Sequence, residues 1–266
     1  MSIILGSEYK YNKSYCKKPP YKRNIRLSSI LKQIKKILED LKIKVLRPTK
    51  NQMPFCTSLW TRDSFININN KLIMLPLQTL ASRHPDEWLT IPQAYNRREI
   101  FPSCPENLEG GDVIQDRNII LVGIGKRTNQ SGVKQLRSMF PAKKIVDIKH
   151  SALHLDCCLM ILRENKILYS RRYIKKMPKF LLDNYDCKTV ESIIGNKIEP
   201  SLATNGLLIG NNIITTDQPK FKKFRKYLRN LDYNVIEVRY GNLWRENGGI
   251  RCLTQWFKKP TKQLIS

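Results

Sequence analysis

Histidine is scarce in this chain: His84, His150 and His154 are the 3 present among 266 residues. Histidine is the side chain whose ordinary charge change falls near neutral pH, so very few positions can act as acid and base in one cycle. The 7 cysteines, at 16, 56, 104, 157, 158, 187 and 252, contain no CxxC pair and no His/Cys ligand spacing, which leaves a zinc site without support. Their odd number, behind an N-terminus (MSIILGSEYKYNK) whose apolar part is too short for a secretory leader, points to reduced thiols. No apolar run approaches the roughly 18 to 20 residues of a membrane span. A cytoplasmic protein is expected, with no membrane partner, no metal and no cofactor.

Acids are also in short supply. The 22 Asp and Glu against 48 Lys and Arg leave a net charge of +26, which attracts nucleic acid, anionic membrane or acidic partners without specifying any of them. The basic residues run along the whole chain, densest at Tyr9 to Arg26, Arg171 to Lys179 and Lys220 to Arg229. That spread suits a solvated surface better than a dedicated groove, and it leaves nucleic acid or another polyanion open as a partner.

What the chain does have is length and apolar content, 266 residues of which 41% are hydrophobic, enough for a sizeable core. Residues 1–26, basic and carrying Pro19-Pro20, read as an extended lead-in, and 27–266 as a single domain. From Ser28 or Ser29, apolar residues at Ile30, Leu31, Ile34, Ile37, Leu38 and Leu41 mark one face of a helix, followed by a strand at Ile43 to Leu46. Phe65 to Ile68 and Leu72 to Leu75 flank Asn69-Asn70, a hairpin signal. Val113 to Gln115 and Ile119 to Val122 repeat the hairpin, with a helix at Ser131 to Phe140 and a strand at Ile145 to Ile148 after it.

The order recurs. Cys158 to Leu162 pairs with Ile167 to Tyr169, before a helix near Pro178 to Asn184 and a strand at Val190 to Ile194. Leu207 to Ile209 pairs with Ile213 to Thr215, before a helix capped by Asp217 and a strand at Val235 to Val238. Hairpins starting near 64, 113, 158 and 207 give a period of about 50 residues, so a ββαβ-like unit repeats. The strand after Cys252 and the helix and strand of residues 28–47 supply parts of a fifth copy. Five units closing in a ring is the simplest α/β arrangement.

Such a ring gathers the starts of equivalent hairpins around one axis, and those starts carry the unusual residues. Asp63 precedes the first, Glu109-Gly110-Gly111-Asp112 the second, His154-Leu155-Asp156 the third and Gly248 to Cys252 the last. In the last, two glycines let the backbone approach a ligand closely and deliver a cysteine onto a strand start, which is how a nucleophile is presented.

Four motifs in this order, WTRD (60–63), LEGGDV (108–113) with GKRTN (125–129), HLD (154–156) and NGGIRCLTQ (247–255), resemble the pentein, or guanidine-modifying, superfamily of deiminases, dimethylarginine hydrolases and amidinotransferases. The resemblance implies a pseudo-fivefold α/β propeller and a covalent amidino-thioether intermediate. Cys252 would attack the guanidinium carbon. His154 would protonate the departing amine and then activate water or a second amine. Glu109 would hold the guanidinium or orient the histidine, Asp63 and Asp156 would grip guanidinium nitrogens with Asp112 as a further substrate-binding residue, and Arg127 would position the site or bind a substrate carboxylate.

The residue types suit the chemistry. A guanidinium is a planar cation with several N–H donors, which carboxylates accept in pairs. Carboxylates oppose a thiolate, so a cation must stand near it: the substrate, a protonated His154 or Arg251. Beyond a Debye length of about 8 Å the surface lysines are screened, and a substrate bearing its own carboxylate, such as arginine, fits a basic protein better than agmatine. The compact length resembles dimethylarginine hydrolases, and Arg251 stands where agmatine deiminases often have histidine. The reading is therefore a C–N hydrolase of arginine or a methylated arginine, with amidinotransfer as the alternative. A non-catalytic basic protein on the same scaffold, binding nucleic acid or a ribosome, is the rival from another class.

Overall fold

The computed structural model describes residues 2–5, 27–46, 59–69, 71–75, 100–101, 107–241, 243 and 248–258. The lead-in after Leu5, Asn70, His84, Asn247 and the cysteines at 16, 56 and 104 lie outside them. The described chain forms five three-stranded sheets, in each of which the middle strand pairs antiparallel with one neighbour and parallel with the other; in four of them the antiparallel pair is a hairpin.

Chain order builds these units in turn. β3 (Phe65–Ile68), β4 (Lys71–Met74) and β5 (Ile100–Phe101) follow a short helix α2 (Thr61–Ser64). β6 (Val113–Asp116), β7 (Ile119–Ile124) and β8 (Lys144–Lys149) enclose helix α3 (Gln130–Met139), and β9 (Leu159–Leu162), β10 (Lys166–Tyr169) and β11 (Asp186–Thr189) enclose α4 (Lys179–Asn184). After α5 (Glu191–Ile194) come β12 (Leu207–Ile209), β13 (Asn212–Thr216), α6 (Lys222–Arg229) and β14 (Asn234–Val238). The remaining unit joins the two ends of the chain: β1 (Ser2–Leu5), α1 (Leu27–Asp40), β2 (Lys44–Leu46) and β15 (Thr254–Lys258). Its strand order is β15-β1-β2, antiparallel then parallel, so it repeats the pattern of the others with β1 in the middle.

Local chemistry explains the repeat. Left-handed residues turn the hairpins, Asn69 at φ 53°, Arg117 at 48° and Gly210 at 55°. Asn129 caps α3, its side chain accepting from the Gly132 N–H at 2.9 Å. α1 buries Ile30, Leu31, Ile34 and Leu38, the stripe its spacing predicts.

The apolar cores sit between neighbouring units. Ile3, Leu31, Ile214 and Val238 join the first unit to the last; Leu168, Ile194, Ile213 and Phe224 join the last to the one before it. Leu121, Leu159 and Ile167 join the β6 and β9 units, and Ile66, Ile73, Val113 and Val122 join the β3 and β6 units. The circuit is completed where β15 packs along β3, the Gln255 side chain donating from Nε2 to the Phe65 carbonyl at 2.6 Å. The result is the pseudo-fivefold α/β propeller.

Three elements differ from the sequence reading. Ser2 to Leu5, expected in an extended lead-in, form the central strand of a sheet. The strand expected at Val190 to Ile194 lies earlier, at β11, and Glu191 opens a helical turn instead. The Glu191 carboxylate accepts from Ser170 Oγ at 2.6 Å and from the Arg171 and Arg172 N–H groups, which fixes the turn, while Val190 and Ile194 reach one core from consecutive helical turns. Asp217 does not cap the following helix. Its carboxylate accepts from the Tyr240 N–H at 3.1 Å, tying the segment before α6 to the end of β14.

Candidate active site

The turns that start β3, β6, β9 and β15 meet one another. The turn before β6 packs against those before β3 and β9, and the Arg62 N–H donates to the Cys252 carbonyl at 3.3 Å. Asp63, Glu109, His154 and Cys252, distant in sequence, therefore share one region.

His154 is its centre. The ring donates from Nε2 to Glu109 Oε2 at 2.7 Å, and Nδ1 stands 3.7 Å from Asp63 Oδ1. Burial alone would lower the imidazolium pKa; the carboxylate of Asp63, the hydrogen bond to Glu109 and the charges of Asp112 and Asp156 override it and push the value up to about 10. His154 is thus a cation at neutral pH. Gly111 makes its position possible, since a Cβ there would lie 2.6 Å from the ring's Cγ.

Glu109, fully buried, also meets Arg127, whose Nη1 lies 3.3 Å from both its oxygens. Asp112 lies behind this layer. Its oxygens accept from His150 Nε2 at 3.0 Å, from the Leu155 N–H at 2.8 Å and from Thr128 Oγ1 at 2.7 Å. Expected among the substrate-binding residues, Asp112 is instead engaged by His150, Leu155 and Thr128 and fixes the turn that carries His154.

Asp156 is equally enclosed. Its Oδ2 lies 3.2 Å from Arg62 Nε and 3.6 Å from Arg251 Nε, so the guanidinium groups it meets here are the protein's own. Burial and the charge of Arg62 lower the Arg251 pKa to about 10, with Asp156 and Cys252 opposing, so Arg251 stays positive at neutral pH beside the nucleophile candidate. Cys252 is buried, and contact with it together with burial pushes the neighbouring Cys157 thiol well above the ordinary thiol range. Among the carboxylates of the group, Asp63 has the open side chain, 13% exposed against 0–1% for Glu109, Asp112 and Asp156.

Two donor triads share the histidine, Asp63–Glu109–His154 and His154–Asp156–Cys157, each with ligand atoms within 4.8 Å of one another. A divalent cation on either would have to displace the proton from a strongly stabilised imidazolium. Sequence reasoning assigned no role to Arg62, Thr128, Gln255 or Asn205. The signal for Asn205 was present: it precedes β12 at the place in the repeat that the other four residues occupy. Among the described residues, no helix is long and apolar enough to cross a membrane.

A ring of five ββαβ units whose strand starts bring together a thiol, an imidazolium and carboxylates defines a pentein. The chain belongs to the arginine deiminase family, whose model matches residues 33–204, more than half of the sequence. An uncharacterized protein of Bacillus subtilis, YkgA, is 28% identical over 240 residues, 87% of this chain and 81% of that protein. The N(G),N(G)-dimethylarginine dimethylaminohydrolase of Pseudomonas aeruginosa is 26% identical over 172 residues, 63% of each chain. Among solved structures, SxtG, an amidinotransferase of Microseira wollei in saxitoxin biosynthesis, superposes with a TM-score of 0.79 at 20% identity, covering 100% of this chain and 96% of its own. DDAH of Pseudomonas aeruginosa, as a mutant complexed with citrulline, gives 0.71 at 19% identity over 96% of this chain and 98% of that one. The N-terminal domain of ArgZ, a cyanobacterial arginine dihydrolase, gives 0.74 at 16% over 97% and 98%.

Proposed function

We propose that this chain is a cysteine-dependent C–N hydrolase of a guanidine compound, arginine or a methylated arginine. The observation that carries the reading is the buried Glu109–His154 pair at 2.7 Å, which holds a protonated imidazole in the region where Cys252 lies. Family membership and the names of the relatives support the same class of chemistry.

In this reading Cys252, as thiolate, attacks the guanidinium carbon. His154 gives its proton to the departing nitrogen, the C–N bond breaks, and an amidino-thioether remains. The now neutral His154 takes a proton from water as the water oxygen bonds to the carbon; the C–S bond then breaks, the remaining hydroxyl proton passes to the released amine or solvent, and a ureido product leaves the restored thiolate. Glu109 fixes the ring and stabilises its charge. Asp63, the open carboxylate, receives guanidinium N–H donors, and Arg127, at the partly exposed rim, receives the substrate's carboxylate. Asp156 and Asp112 act from behind, holding Arg62 and Arg251 and the His154 turn.

The test is turnover. The purified protein is incubated with arginine, Nω-methylated arginines and agmatine, and ureido product is measured; a second set contains glycine or ornithine as acceptor. Ureido product abolished by Cys252→Ala supports hydrolysis. Transfer to the amine without ureido product would move the assignment to amidinotransfer, since both routes share the intermediate. Neither product, with steeply salt-dependent RNA binding unaffected by Cys252→Ala, would overturn it in favour of a binding protein.

A further inference from the structure

Four of the five units supply a chemically active side chain at the start of their first strand: Asp63, Glu109, His154 and Cys252. The fifth start, before β12, supplies Asn205, which is 1% exposed. We propose that Asn205 is a positioning residue that sets Cys252 against the His154 turn through a single side-chain amide. The inference rests on the reading of Cys252 as the reacting group.

The two ends of the amide face opposite chemistry. Oδ1 accepts from the Arg251 N–H at 3.1 Å and the Cys252 N–H at 3.4 Å, and the Cys252 Sγ lies 3.5 Å from it. Nδ2 donates to Asp156 Oδ1 at 3.1 Å and to the Asp156 carbonyl at 3.3 Å, with Cys157 Sγ at 3.9 Å. One end meets donors and the other acceptors, so the orientation of the amide is dictated by its neighbours. The Asn205 carbonyl adds a backbone contact from the Arg251 N–H at 3.3 Å.

These contacts join two turns that the chemistry needs in register. Asp156 is two residues beyond His154, and Arg251-Cys252 carry the thiol. The turn with Cys252 also presses directly on the amide, since a Cβ at Gly249 would lie 2.4 Å from Asn205 Oδ1. Oδ1 receives the two backbone N–H groups that keep the turn in place, and the sulfur stands against the same oxygen, so one amide fixes both the turn and the thiol it carries. Asparagine suits the position because it offers an acceptor and a donor without charge; aspartate would set a second carboxylate against Asp156, and glutamine would lengthen the clasp.

The experiment follows alkylation of Cys252 by iodoacetamide, read by peptide mass spectrometry, in Asn205→Ala, Asn205→Ser and a control, Leu228→Ala, whose site lies in the core between the β9 and β12 units. Iodoacetamide reports presentation of the thiol whatever the natural substrate. Asn205→Ala should slow alkylation and kcat by about 100-fold, as expected for a misplaced reacting group. KM should change by no more than about threefold. Asn205→Ser, whose hydroxyl replaces only part of the clasp, should fall between and covers the case in which the alanine variant does not fold. Leu228→Ala should lower the melting temperature with alkylation at the wild-type rate. Asn205 variants that alkylate and turn over like Leu228→Ala would reduce the residue to ordinary packing and overturn the inference. Slowed alkylation in a protein that modifies no guanidine would uphold the positioning role while sinking the proposed function.

Discussion

His154 donates a 2.7 Å hydrogen bond to Glu109 across the boundary between two units of the ring, from a residue 45 positions later in the sequence. With Asp63 nearby, this raises the imidazolium pKa from 6.5 to about 10 against the opposing effect of burial. A raised pKa means the folded state holds the proton more tightly than the unfolded chain. The stability it contributes is complete below about pH 6.5 and is lost as pH rises through about 10. The His154 proton resonances should therefore titrate far above the ordinary range. Asp63→Asn and Glu109→Gln should each bring the midpoint down. An NMR titration midpoint near 6.5 in the wild type would contradict the geometry.

Cysteine labelling should be selective for a physical reason. Burial pushes Cys158 well above the ordinary thiol range and raises Cys187 less strongly; Cys157 is pushed up first by its hydrogen bond with Cys252 and then by burial. These thiols stay protonated at pH 8 and are poor nucleophiles. A haloacetamidine, which carries a guanidinium-like cation, should modify Cys252 ahead of Cys157, Cys158 and Cys187. Peptide mapping checks this, and equal labelling of Cys187 and Cys252 would remove the case for a dedicated nucleophile.

Gly111→Ala tests the placement of the His154 ring. The added methyl would stand 2.6 Å from the His154 ring, far inside contact distance, so the ring must shift. A shift of order 1 Å in a reacting group costs about 100-fold in rate. The variant should lose turnover to that extent, and its melting temperature should fall as well, since the displaced ring loosens its hydrogen bond to Glu109. Assaying kcat beside thermal melts decides it; unchanged kcat would mean that the ring's place is not critical.

Much of this architecture was legible because the repeat is written in local chemistry. The hairpin turn at Asn69 and the stripe on α1 follow from residue type and spacing, and the spacing of the apolar runs brackets the turns at Arg117 and Gly210. The errors lie where distant partners decide. Glu191 opens a turn because Ser170, Arg171 and Arg172 donate to it, and Ser2 to Leu5 become a strand because β2 and β15 lie on either side. The same holds within the site. Cys252, His154, Glu109 and Asp63 stood out by type and place, but nothing in HLD says that Asp156 faces Arg62 and Arg251, or that Asp112 holds His150 and Leu155. Asn205 was missed because an asparagine carries no reactive signal; only its place in the repeat marks it.

Arg62 offers the sharpest test of the ring. Its guanidinium leaves the β3 unit and reaches three others: Nε donates to Asp156 at 3.2 Å, Nη1 to Gln255 Oε1 at 2.7 Å and Nη2 to the Val113 carbonyl. Its own carbonyl accepts from Gln255 Nε2 at 3.2 Å. One planar group thus joins four of the five units, a task for which lysine, a single rotating ammonium, lacks both the fork and the number of directed donors. Removing a buried charge partner costs about 3–5 kcal/mol when the remaining charge is left unpaired. Arg251 still faces Asp156, so the loss should fall near the lower end, about 3 kcal/mol. Arg62→Met and Arg62→Lys should both show it in urea unfolding, with lysine recovering only a minor part. A loss below about 1 kcal/mol, the scale of an exposed ion pair, would mean that the ring closes without this pin.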